Sequence, residues 1–122
     1  MEYDLPITDK RFKKAVELFN NQEWYPAHDA FEELWHETSG PERITLQAFL
    51  QIAVAQLHLE SGNRNGATIL FGEALGRLTK LGAPDLGFDI NRIARSLEMI
   101  LNCLQSEQLI AKTNPLYLSK KI

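Results

Sequence analysis

An all-α domain of about five helices is predicted by three observations on this 122-residue chain. Apolar residues recur at spacings of three and four along almost its whole length, no segment alternates with a period of two, and its seven glycines and five prolines fall mostly between the periodic stretches. Such residues punctuate helices when they lie between them and break them when they lie inside. At 44% hydrophobic, a chain of this length buries one core and not two, so 1–122 is read as a single domain. No apolar run approaches the roughly 18–20 residues of a membrane span, and no apolar signal region opens the chain. A soluble, cytoplasmic protein with no membrane partner is expected.

The elements follow in order. The first helix is predicted from about Asp9 to Asn20, with Thr8 as its N-cap and Asp9 in its first turn, burying Phe12, Ala15, Val16 and Phe19. The second follows Asn20-Asn21-Gln22-Glu23, takes Pro26 into its first turn, and buries Ala27, Phe31, Leu34 and Trp35. Ser39-Gly40-Pro41-Glu42 stops and restarts the chain, because Ser39 and Glu42 stand at capping-box spacing and Pro41 suits a first turn. The third helix then runs to about Glu60. Gly62 is a natural stop and Asn63 an N-cap for a fourth helix carrying Ala67, Leu70, Phe71, Ala74, Leu75 and Leu78, ended by Gly82 and Pro84. A fifth helix is expected over about 89–108, with Ile90, Ile93, Ala94, Leu97, Ile100, Leu101 and Leu104 on one stripe, before an extended tail over 113–122.

The first pair of helices resembles the second at an offset of 40 residues: Ala15 matches Ala55, Phe19 Leu59, Ala27 Ala67, Phe31 Phe71, Glu33 Glu73 and Leu34 Ala74. Small residues such as Ala27 and Ala67 let antiparallel helices approach closely, as in tetratricopeptide hairpins. Two such hairpins, each covering the other's apolar face, with a capping fifth helix, are the expected architecture.

Charge narrows the partners. The formal net charge is −3, and the cluster Lys10, Arg11, Lys13 and Lys14 reads as a solvated face of the first helix, so nucleic acid is not an expected partner. A single cysteine, Cys103, excludes an internal disulfide and a thiolate zinc site built from one chain, and no neighbouring cation would activate it.

Candidate site residues lie on the second and third helices. His28 and Glu32 are four residues apart, which stacks them on one helix face. With Ala27 at zero on a helical wheel, Leu34, Phe31, Trp24 and Trp35 fall between about −20° and 80°, His28 at about 100° and Glu32 at about 140°. The pair therefore edges the core, where an imidazole and a partly desolvated carboxylate serve equally as ligand, base or boundary pair. In the second hairpin the equivalent positions are Thr68 and Gly72, so the pair belongs to the first copy alone. The third helix is apolar nearly all round but carries two polar stripes, one of Thr45, Gln56 and Glu60, the other of Gln47, Gln51 and His58. A central helix can show one stripe to solvent, and the second must find hydrogen-bond partners. His28 and Glu32 are the candidate partners, and Trp24 and Trp35 read as core.

The segment Phe19 to Trp35, then Arg43-x-x-x-Gln47 through Gln51-Ile52-Ala53 to His58, then Gly62-Asn63 and Gly66-Ala67, resembles the domain of unknown function 309 family of small bacterial and archaeal helical proteins over about residues 12–80. The hallmark His-x-x-x-Glu-x-x-Trp/Tyr is matched by His28, Glu32 and Trp35. The resemblance implies an all-helical fold and a metal-binding role for the His and Glu. Nitrogen and carboxylate donors suit zinc, manganese, iron or nickel. Two ligands are too few, and His58 is the best third, with Gln51 or water beside it. His36 stands about 12 Å along the axis from His28 and cannot share an ion with it. The pattern is not His-Glu-x-x-His, so protease chemistry is not indicated.

Three functional classes follow: a metal- or small-ligand-binding domain at His28, Glu32 and His58, with Trp35, Gln47 and Gln51 lining a polar cavity; a tetratricopeptide-like interaction module in which His28 and Glu32 form a structural pair; and a hydrolase or lyase with Glu32 as general base. The absence of a nucleophile motif, phosphate loop or cofactor fingerprint leans the reading away from an enzyme. A homodimer is compatible with so small a chain and its apolar fifth helix.

Overall fold

A computed structural model describes residues 9–106 and 116–121. The five helices form as α1 (Lys10–Asn20), α2 (Trp24–Glu37), α3 (Glu42–Glu60), α4 (Arg64–Lys80) and α5 (Ile90–Gln105), with no strand among the described residues. Asp9 caps α1 from outside the helix, its carboxylate accepting the Arg11 amide at 2.8 Å. It is therefore the cap and not a first-turn residue, and Thr8 lies outside the described residues. Asn63 and Asp89 cap α4 and α5 in the same way. The capping box expected at Ser39 and Glu42 does not form. Gly40 turns the chain at φ +83°, Pro41 is already in helical conformation, and α3 starts without a side-chain cap. The last turn of α2 is closed instead by Thr38, whose hydroxyl donates to the Leu34 carbonyl, and by Arg43, whose Nε donates to the Trp35 carbonyl.

The 40-residue repeat has a backbone counterpart. After α1 the Glu23 amide donates to the Leu18 carbonyl and the Gln22 amide to that of Phe19; after α3 the Asn63 amide donates to His58 and the Gly62 amide to Leu59. Both turns are Schellman motifs, in which one left-handed residue reverses the chain while satisfying the last helical carbonyls. Gly62 holds that position at φ +84°, and Gln22 at φ +63°.

Each helix runs antiparallel to the next. Phe19 of α1 meets Trp24 of α2, while at the other end Arg11 reaches Glu33 and Glu37. Trp24 donates through its indole to Glu60 and Trp35 lies against Arg43, which sets α2 against α3. The guanidinium of Arg64 at the start of α4 donates to the Leu104 carbonyl near the end of α5. Between the helices, Ala27, Ala48, Ala53, Ala55, Ala67 and Ala74 are fully buried, and Phe31, Phe49, Phe12 and Phe88 stack edge to face in a chain of ring contacts. Trp35 departs from its expected core position: it is half-buried, with the Arg43 guanidinium 3.9 Å above its ring.

The C-terminal segment packs on its own chain. Leu116 and Leu118 are buried, Asn20 brackets the Leu118 backbone with both its amide atoms, and Lys120 forms an isolated antiparallel bridge with Phe88. Helix α5 ends at Gln105 with Ser106 as cap, and the remainder of the expected helix to 108, like the start of the expected tail at Thr113, lies outside the described residues.

Arg11 is the exception within the solvated face of α1. Its guanidinium donates to Asp9, Glu33 and Glu37 at 2.8–3.1 Å, raising its own pKa and holding the Asp9 and Glu37 carboxyls below the ordinary carboxylate range through hydrogen bonds. Groups with depressed pKa contribute stability above their unfolded values and lose it as pH falls through the folded ones. Arg11→Ala is therefore expected to lower stability at neutral pH, with the deficit closing below about pH 4 as urea midpoints are followed down in pH; a constant deficit across that range would contradict the linkage. Gln22→Gly is expected to raise stability by about 0.5–1 kcal/mol in the same assay, by relieving the left-handed strain of a side chain that fills no core space.

Candidate functional site

His28 points off α2 half-buried, with a carboxylate at each ring nitrogen: Asp29 at 3.2 Å from Nδ1 and Glu32 at 3.7 Å from Nε2. The helical spacing thus brings the expected pair together, and Asp29 joins it. Sequence reasoning passed over Asp29 because adjacent residues on a helix point about 100° apart; here the imidazole turns back to reach it. On the wheel His28 lies about 20° from Trp35, and Trp35 is the residue that meets Arg43 of α3. The hallmark face of α2 therefore borders α3.

The residues of α3 that remain partly exposed include Arg43, Gln47, Leu50, Val54 and His58, a stripe within about 80°. Phe49, which meets Phe31 of α2, lies on one side of this stripe, and Gln51, which reaches α4, lies on the other. The stripe runs between α2 and α4. Most of the Thr45, Gln56 and Glu60 stripe is buried, with the Thr45 hydroxyl donating to the Pro84 carbonyl and Glu60 accepting from the Trp24 indole N–H.

The hydrogen-bond partners expected for the Gln47, Gln51 and His58 stripe are not those observed. The Gln51 side-chain amide donates to Glu73 of α4 at 2.8 Å, and its Oε1 is buried with no hydrogen-bond partner among the described residues. His58 accepts at Nδ1 from the Asn63 side chain at 3.2 Å, while the Asn63 carbonyl oxygen caps α4 through the Gly66 amide. His58 is thereby engaged in the α3–α4 turn, which explains Gly66: a Cβ there would stand 2.7 Å from Asn63 and 3.1 Å from the His58 ring. The turn signature Gly62-Asn63-x-x-Gly66 is one device, in which the first residue reverses the chain, the second caps, and the third leaves room for the histidine.

Among the described residues no three His, Cys, Asp or Glu side chains converge as a metal-ligand group. His28 and Glu32 offer two donor atoms within about 4 Å, the span of ligands sharing an ion. Two clefts open elsewhere on the molecule. One cleft of about 450 Å³ lies between α1, the Leu86–Phe88 loop and Lys120, another between Leu75 and the exposed side of α5, and neither is lined by His28, Glu32 or His58. Glu73, the partner of Gln51, was also missed. Its signal was its match to Glu33 in the repeat, yet the two glutamates serve different partners.

Fold and site together define a small helical-hairpin protein with a polar, acceptor-rich face where α2, α3 and α4 meet. The family model described as a domain of unknown function (DUF309) matches residues 12–70, from the first core residue of α1 into the middle of α4, and supports the family resemblance over this stretch. The match takes in His28, Glu32, Trp35, Gln47, Gln51, His58 and the whole α3–α4 turn. No curated protein matches the chain.

Two glycine substitutions separate the turn from ordinary helix propensity. Gly72 has open space around a Cβ, so Gly72→Ala is expected to raise stability by about 0.5–1 kcal/mol. Gly66→Ala has the same propensity gain but must displace Asn63 from its cap, and a net loss of about 1 kcal/mol is expected. Chemical denaturation of both variants checks the opposite signs.

Proposed function

We propose that the protein is a binding module and not an enzyme, and that the α3 stripe bounded by His28, Glu32 and Trp35 on α2 and by Glu73 on α4 receives a donor-rich, cationic segment of a partner polypeptide. The observation that carries this reading is the buried Gln51 Oε1, which has no hydrogen-bond partner among the described residues. A buried acceptor without a hydrogen bond costs roughly 1–3 kcal/mol, and Glu73 fixes the amide so that the oxygen cannot exchange places with the nitrogen without facing a carboxylate. An incoming N–H group relieves that cost. The charge of α2 beside the stripe supports the same choice: Asp29 and Glu32 are exposed next to His28, the helix carries no lysine or arginine, and its other glutamates, Glu33 and Glu37, are taken by Arg11 of α1.

A divalent metal ion is the second reading, favoured by the 3.7 Å approach of His28 Nε2 to Glu32 Oε2. The pair supplies two donors, and water or a partner side chain would complete the shell. It explains the hallmark pair and leaves Gln51 unexplained, which places it second.

The test is a two-dimensional NMR titration of the full chain with heptaarginine and, as control, heptaglutamate. Heptaarginine is expected to shift the Gln47 and Gln51 side-chain amides and the Trp35 indole saturably, and Gln51→Leu and Glu32→Gln are each expected to weaken binding about three- to tenfold, as for loss of one charge-assisted contact. Equal binding of heptaglutamate, or affinity unchanged in both variants, removes the polypeptide reading. Zinc and manganese titrations compared with His28→Ala decide the second: it stands on binding lost in the variant and falls on binding that the variant retains.

A further inference from the structure

The cleft between α1, the Leu86–Phe88 loop and Lys120 has a different chemistry and no part in the reading above. Its walls are Phe12, Lys13, Val16, Glu17, Asn20 and Asn21 along α1, the loop Leu86-Gly87-Phe88, and Lys120 of the C-terminal segment. These walls are held rigidly. Phe12 and Phe88 stack edge to face at 5.8 Å, Phe88 stacks again on Phe49 at 5.4 Å, the Lys121 amide donates to the Gly87 carbonyl, and Asn20 is spent on the Leu118 backbone. A cleft of about 450 Å³ lies within the range of about 300–1,000 Å³ typical of small-molecule sites.

Its floor and rim differ in character. Phe12, Val16, Leu86 and Phe88 make the floor apolar, and every one of them is core-facing. Two lysines stand at the rim, exposed, and neither the Lys13 nor the Lys120 ammonium group has an ion pair or hydrogen bond among the described residues. This contrasts with the other cations nearby: Arg11 is tied to three carboxylates, and Lys121 pairs with Asp85. Glu17 offsets one of the two rim charges and leaves the rim net positive. An apolar floor beneath unpaired ammonium groups matches a molecule with an apolar body and one anionic end.

We infer that this cleft, formed by Phe12, Val16, Leu86 and Phe88 beneath Lys13 and Lys120, is a binding site for a small amphipathic carboxylate, its hydrocarbon chain lying on the aromatic floor and its carboxylate between the two lysines. The site is independent of the α2–α3–α4 face, so it stands or falls separately from the proposed function.

Decanoate, kept below its micellar concentration, is the probe, with decan-1-ol as its uncharged counterpart and the full chain observed by NMR. Saturable shifts of the Leu86, Gly87 and Phe88 amides with decanoate are expected. The double variant Lys13→Glu/Lys120→Glu, whose positions are exposed and whose folding is checked by circular dichroism, is expected to weaken decanoate about tenfold, the effect of turning two partly exposed attractions into repulsions. Decan-1-ol is expected to bind both proteins alike. The inference is overturned by absence of saturable shifts at these amides, by decanoate binding that the double variant leaves unchanged, or by a response to anionic phospholipid vesicles with none to the monomeric acid.

Discussion

Burial of α3 is the constraint on which the rest of the molecule depends. A helix of 19 residues with nine of them buried, apolar nearly all round, has to be covered from more than one direction. α2 and α4 cover it from the two sides, and the loop before α5 closes over its first half through Pro84 and Phe88. Close approach requires small residues where helices cross, and the fully buried alanines of α2, α3 and α4 supply it. Dispersion and hydrophobic burial both grow as backbones approach, so these small residues strengthen the packing of the phenylalanines between them.

Two helices cannot cover a cylinder completely, and what they leave open is the candidate site. The uncovered sector of α3 is the stripe from Arg43 to His58, and polar groups accumulate along its edges because only there do they keep access to water or to one another. Arg43 satisfies its guanidinium on the Trp35 ring and carbonyl, and Gln51 satisfies half of its amide on Glu73. The other half of that amide has no partner among the described residues, which the core alone does not require. A leucine at position 51 would pack on the same sector without that cost, so the glutamine is the residue of the stripe that folding explains least.

The repeat shows how much of the fold was legible in the sequence. Both hairpins turn through the same pair of backbone hydrogen bonds 40 residues apart, yet only the second turn announces itself, because Gly62 is a conventional left-handed residue and Gln22 is not. The capping residues Asn63 and Asp89 were readable for a similar reason: an Asx side chain just ahead of an apolar stripe satisfies free amides within three residues. Ser39 has the same local signature and fails, since Gly40 and Pro41 already dictate the path of the chain. In the candidate site, the His28 and Glu32 pair was legible from spacing alone. The fate of His58 was not, although Asn63 and Gly66, which engage it, stand close by in sequence.

Sequence by itself determined five helices, their buried stripes, the α3–α4 turn and the proximity of His28 to Glu32, all of which are fixed by contacts within a few residues and by the geometry of one helix. Tertiary structure alone decided that Gln51 meets Glu73, that Trp24 meets Glu60, that Arg11 spans to Glu37, and that Asn20 holds the segment around Leu118. The physical reason is rotational. A helical wheel gives the angle between two residues of the same helix, but the angle at which one helix faces the next is set by the summed volumes of the side chains between them. That packing turned Gln51 towards α4 and left the hallmark pair of α2 at the border of the same stripe.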